Sequence, residues 1–343
     1  MQKKPTPVPN LEPLDSRKPA RTPRPNVSKR HHYLAEAYLL GFAREDGSVA
    51  VHDRHNDTLI RQLPDATTVI SQLNTLRGPD GGRRLELESE LSEIEGRAMT
   101  VIKTIQGERP LKQDERADLA AFVGISLTRT PDGIAALHAV ASRLALLETG
   151  SPYSTLEKMR RLVRAVNDDQ VVEVEVHFVA QIMLKHAEAE KPGGRLPLKH
   201  LVFLAYIAGR SIGRQLVGRR WNLVRPESAE ASFITSDAPV CVAAAESKRT
   251  GKDGASIWDE ESRVLFPLTA TCLLEIQGPG PSLAYRQIDD EEVHELNLRL
   301  ARNRKQYLVG RDEQPVGALA SDESVKSLEY VAKLSLLRPG RPG

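Results

Sequence analysis

Four side chains, His32, Glu95, Arg129 and Asp237, are of the types that metal-assisted hydrolysis of a phosphodiester requires. An imidazole and two carboxylates can hold a divalent ion such as Mg²⁺, Mn²⁺ or Zn²⁺, or position a water, while a guanidinium neutralises phosphate charge. His32 follows His31, and Glu36 lies four residues on, which lets one helix face offer two ligands; the plain alternative is a cap or a surface pair. Glu95 falls at the margin of an apolar helical stripe, where a carboxylate needs a cation or hydrogen-bond donors to stay charged. Arg129, seven residues after Phe122, leaves from the apolar face of the next helix and either pairs with that carboxylate or stays free to clamp an anion. Asp237 sits where the run Phe233-Ile234-Thr235 meets a Ser-Asp-x-Pro turn, and it can ligate a metal, orient a base or cap its own turn. A second reading stands beside the first: a non-catalytic binding or sensor module in which the same polar residues form a structural network.

The elements that must position these residues follow from apolar spacing. Leu91, Ile94, Ala98, Val101, Ile102 and Ile105 recur by threes and fours, which predicts a helix over 87–105. Further helices are expected over 114–128, from Thr130-Pro131 to 147, and over 155–166, 170–190 and 198–218, with Gly209, Gly213 and Gly218 suited to close helix packing. After residue 218 the texture turns to short β-rich runs at 221–224, 232–235, 264–269, 271–277 and 283–287. A helix over 290–304, a strand at 307–309 and a helix around 323–337 complete the chain. Near the start, Asp46-Gly47 between apolar runs signals a hairpin extended by 58–62.

The fold class is therefore α+β: predominantly helical, with a small, mostly antiparallel C-terminal sheet and a short N-terminal β-ribbon. Residues 1–29, with seven prolines among basic and polar residues, read as a disordered tail; 30–312 read as a single domain, helical over 84–218 and β-rich over 219–310; 313–343 read as a C-terminal helix and frayed end.

Charge and composition narrow the partners. The net charge of +2 conceals a tail at +6 through residue 30 and a remainder at −4, so the body lacks an overall electrostatic footprint for nucleic acid. Such binding would fall to Arg129, to the basic cluster Arg210, Arg214, Arg219 and Arg220, or to the tail. Two cysteines without metal-type spacing favour a reduced, cytoplasmic setting. The longest apolar run, LVFLAYIAG, is about half the ~20 residues that span a bilayer, and no secretory leader is recognisable. Phosphate-loop, dinucleotide-loop and His-Glu-x-x-His motifs are absent from the sequence.

Taken in order, His32-Tyr33, Tyr38-Leu39, Phe42, Glu88, Glu95, Arg129-Thr130-Pro131, Phe233-Ile234, Ser236-Asp237, Pro239 and Phe266-Pro267-Leu268 resemble the pattern of the domain-of-unknown-function family numbered 4238. The chain departs from that pattern at Ala35, where the family has proline. The resemblance covers roughly residues 31 to 310 and implies a bacterial, cytoplasmic protein. Because some members are associated with defence against phage, it also implies an effector or a sensor.

Overall fold

The computed structural model describes residues 30–32, 34–67, 69–71, 76–77, 83–84, 86–107, 109–130, 132–137, 157, 160–161, 198–244, 256–257 and 259–326. The first helical turn, α1 (Glu36–Leu39), continues as a 3-10 turn over Leu40–Phe42. Ala35 precedes it with φ −61 and ψ 131, a backbone angle proline also adopts, so the departure from proline leaves the local path unchanged.

The apolar stripe of α2 (Glu86–Ile105) is buried as its spacing predicts. α3 (Gln113–Thr128) begins where the Glu115 carboxylate accepts the Lys112 N–H at 2.9 Å, and its second half is buried on nearly every side. It lies directly on α4 (Leu198–Val217), backbone against backbone. A β-carbon at Gly209 would stand 2.7 Å from Ile125 Cα, one at Gly213 would stand 2.8 Å from Ala121 Cα, and one at Gly124 would overlap the Gly209 carbonyl. The Thr128 hydroxyl seals this contact by donating to the Ala205 carbonyl at 2.6 Å. Gly218 makes no such approach.

Two larger sheets and two small strand pairs complete the described fold. The pairs are β1 (Arg30–His32) with β4 (Val69–Ser71), and β5 (Leu76–Arg77) with β6 (Arg83–Arg84). The five-stranded sheet joins β7 (Arg219–Pro226), β9 (Cys241–Ala243), β10 (Arg263–Thr269), β11 (Cys272–Pro279) and β12 (Leu283–Ile288) in the order β12-β7-β11-β10-β9. Its neighbours are antiparallel except β7 and β12, which run parallel. The four-stranded sheet is antiparallel throughout, in the order β3-β2-β13-β8, from β2 (Val49–Asp53), β3 (Thr58–Gln62), β8 (Thr235–Ser236) and β13 (Tyr307–Gly310).

Three expectations change. The N-terminal ribbon is not separate: β2 pairs with β13, so strands from both ends of the described chain share one sheet and the architecture is mixed α/β. Asp46-Gly47 does not reverse that ribbon. It turns the chain from the 3-10 helix into β2, with Gly47 at φ 79, and the hairpin reverses at 54–57 instead, with Asp57 at φ 49. The expected strand at 232–235 shrinks to Thr235–Ser236, because the preceding backbone bonds elsewhere. Phe233 N–H donates to Ala270 O at 2.8 Å, Ile234 N–H donates to the Asn297 amide oxygen at 3.0 Å, and the Asn297 amide donates to Ser232 O at 2.9 Å.

Asn297 belongs to α5 (Asp290–Asn303), whose N-cap Asp289 accepts the Glu292 N–H. After β13 comes α6 (Glu313–Ser321), then α7 (Glu323–Lys326). Val316, Leu319 and Ala320 of α6 are buried with Leu308 and Ala50, so core packing continues past residue 312. Residues 132–137 and 157, 160 and 161 are helical. The rest of the helices expected over 138–147, 155–166 and 170–190, the tail before residue 30 and the end after 326 lie outside the described residues.

Tyr38 sits at the meeting of the two sheets. Its hydroxyl donates to Pro267 O of β10 at 2.8 Å and lies 2.7 Å from the Thr235 hydroxyl of β8. Its ring stacks on Phe266 at 5.3 Å and meets Phe42 and Phe122 edge-on.

The α3–α4 contact makes a direct forecast. Gly209→Ala is expected to lower unfolding stability by about 1–3 kcal/mol, read from the denaturant midpoint, whereas Gly218→Ala is expected to leave it within about 0.5 kcal/mol.

Candidate functional site

Of the residues singled out by type, Glu95 and Arg129 meet. Glu95 lies on α2 and Arg129 closes α3, its N–H bonded to Ile125 O, and the guanidinium Nη1 donates to the Glu95 carboxylate at 2.9 Å. The Arg129 side chain is 4% exposed and that of Glu95 is 23% exposed. Arg129 therefore ties two helices together and does not line an open phosphate surface. Thr130 follows with its hydroxyl accepting the Gly133 N–H, which starts the next helical stretch.

Asp237 is held elsewhere, behind β8. Its two carboxylate oxygens accept the backbone N–H groups of Lys305 and Gln306 at 2.9 and 2.8 Å, and its own N–H donates to Tyr307 O. The side chain thus anchors the turn that delivers the chain from α5 into β13. Burial pushes its carboxyl up from the usual range, and the backbone donors work against that shift. Lys305 joins the two places, because its ammonium pairs with Asp132 at 2.7 Å while its N–H is held by Asp237. His32 contributes its backbone to β1, opposite Val69; its side chain, like those of His31 and Glu88, lies outside the described ones.

A second polar cluster gave no warning in the sequence. On β2, His52 stands 8% exposed, with Nε2 3.3 Å from the Asp57 carboxylate and Nδ1 3.2 Å from Arg304 Nη1. A guanidinium has only donors, so Nδ1 accepts and the ring proton sits on Nε2, facing Asp57: the imidazole is neutral. Asp57 reaches it from the left-handed φ of the hairpin turn, a conformation aspartate tolerates. Arg304 is itself 3% exposed, and its Nε is buried without a hydrogen-bond partner among the described residues. His52 and Arg304 are 252 residues apart, and neither falls in a motif.

One member of the arginine cluster is withdrawn from the surface. Arg219 is buried and donates to Ile257 O at 2.6 Å, Arg210 lies over the Tyr206 ring and bonds its hydroxyl, and Arg220 is exposed beside Gly278. Arg116, which sequence spacing did not single out, stacks 4.0 Å above Trp221 and donates to Val217 O, fastening α3 to the end of α4. Among the described residues, no group of three or more His, Cys, Asp or Glu side chains is arranged to hold a metal ion. Nor is any described helix long and apolar enough to cross a membrane.

The model of a family described as protein of unknown function (DUF4238) matches residues 30–314. No curated protein and no solved structure matches the chain.

Burial first, and then the Arg304 charge, push the His52 imidazole below its ordinary range. A depressed imidazole binds fewer protons folded than unfolded, so its contribution is present above about pH 6.5 and is lost as pH falls below that value. Unfolding midpoints in urea at pH 7.5 and 5.5 are expected to differ more for the wild type than for His52→Gln.

Proposed function

We propose that this chain, which belongs to the DUF4238 family, is a recognition module whose buried polar residues are architectural. One observation carries the reading: the charged groups best suited to chemistry are already engaged, Arg129 with Glu95 and Asp237 with two backbone N–H groups. A carboxylate so held keeps its charge satisfied without an ion, and taking its partner away leaves a buried group unpaired at a cost of about 1–3 kcal/mol. The setting we infer is a bacterial cytoplasm, as a sensor or effector that recognises a phage or host component. Cys241 and Cys272 accord with that setting: both are unbridged, and burial holds both thiols up at about 11.

The competing reading, metal-assisted phosphodiester hydrolysis, keeps one observation in its favour. Glu95 is partly exposed, so its carboxylate can meet an ion from the solvent side. In that scheme His32, Glu95 and Asp237 hold Mg²⁺, Mn²⁺ or Zn²⁺ and Arg129 stabilises the phosphate. With Arg129 and Arg219 buried, the contacts to a nucleic acid fall to Arg210, Arg214, Arg220 or the basic tail.

Thermal unfolding separates the two readings. Glu95→Gln and Asp237→Asn are each expected to lose about 1–3 kcal/mol, with no displacement by Mg²⁺, Mn²⁺ or Zn²⁺ in any form of the protein. A wild-type stabilisation of about 2.7 kcal/mol at a hundredfold excess of ion over its dissociation constant, lost in Glu95→Gln, would contradict this and make metal-assisted hydrolysis the working reading, to be followed by nuclease assays.

A further inference from the structure

The four-stranded sheet ends abruptly at β3. Among the described residues β3 has one neighbour, β2, and its other edge carries no strand. Edge strands of stable monomers are usually short, bulged, proline-bearing or charged along the exposed side, because an open edge invites another strand. β3 carries none of these devices. It runs five residues without proline or bulge, and its one charge, Arg61, is occupied by Glu313 of α6 and the Ser48 hydroxyl.

Each face of this edge carries one large apolar side chain. Across one face the register runs Val309, Val51, Ile60; across the other it runs Leu308, His52, Leu59. The inner members are 0–8% exposed, whereas Ile60 is 47% and Leu59 38% exposed, with Leu63 just beyond the strand at 55%. Three of the four large exposed hydrophobic residues among those described therefore lie on or beside one unpaired strand. Two cross-strand rows that begin in the core run out into solvent at the same edge.

We propose that β3 is the contact of a two-fold dimer, in which β3 of a second copy pairs with it antiparallel about Ile60 and the two sheets become one of eight strands. The occupant is argued from what the edge needs. A partner strand must place an aliphatic side chain on each face at the same pitch, and β3 itself does so. With Ile60 on the axis, Ile60 meets its symmetry mate, Leu59 lies opposite Arg61, and Thr58 lies opposite Gln62, so no like charges oppose each other.

The test uses the full chain. Light scattering on a sizing column over about 1 to about 100 μM is expected to give twice the chain mass for the wild type and the single mass for Ile60→Lys, with unchanged far-ultraviolet dichroism. Register is read separately by oxidation. Ile60→Cys is expected to give a covalent dimer, while Thr58→Cys, on the same strand but about 14 Å from its own mate in this register, does not. A wild type that stays monomeric throughout, a dimer that survives Ile60→Lys, or equal cross-linking of Thr58→Cys and Ile60→Cys each overturns the proposal.

Discussion

The phenol of Tyr38 is the point through which the two sheets are joined. A tyrosine hydroxyl has one proton to donate, and here it goes to the Pro267 carbonyl on β10, so the oxygen accepts from Thr235 on β8. Both partners are buried with it, and a hydroxyl or carbonyl stranded at that depth costs about 1–3 kcal/mol. The ring meanwhile packs among Phe42, Phe122 and Phe266, so the helices of one layer and the strands of both sheets share a single side chain. Burial raises the phenol far above its ordinary range, which keeps the proton on the oxygen and the bond to Pro267 intact.

The same principle governs the residues that look most reactive. Asp237 secures the turn into β13, Arg129 links α3 to Glu95, and Arg116 caps the end of α4 while covering Trp221. In each case a charged group is taken out of water and then given partners from a distant part of the chain, which ties separated segments into one arrangement. Several of the short motifs that carry the family resemblance belong to this framework. Tyr38, Phe42, Phe266 and Pro267 surround one hydroxyl, while Phe233, Ile234 and Asp237 flank β8 behind it.

What the sequence made legible was local. Periodicity located the helices over 86–105, 113–128, 198–217 and 290–303 and most strands of the five-stranded sheet, because apolar spacing reports a face without needing to know its partner. The Glu95–Arg129 pair could be foreseen from the same faces. The four-stranded sheet could not, since β2 pairs with a strand more than 250 residues away. The segment at 232–234 reads as strand from its composition, yet Asn297 and Ala270 take its hydrogen bonds. His52 and Arg304 form a pair only once that sheet exists, and Gly124 gains its meaning only when α4 lies against it.

A double-mutant cycle on Tyr38→Phe and Thr235→Val tests the central claim most directly. Each single change strands a buried polar atom, while the double change removes both ends of one bond, so urea unfolding is predicted to show a coupling of about 1 kcal/mol or more. Losses that add within about 0.5 kcal/mol would contradict it, and would mean that the Tyr38–Thr235 bond does not couple β8 to the rest of the core.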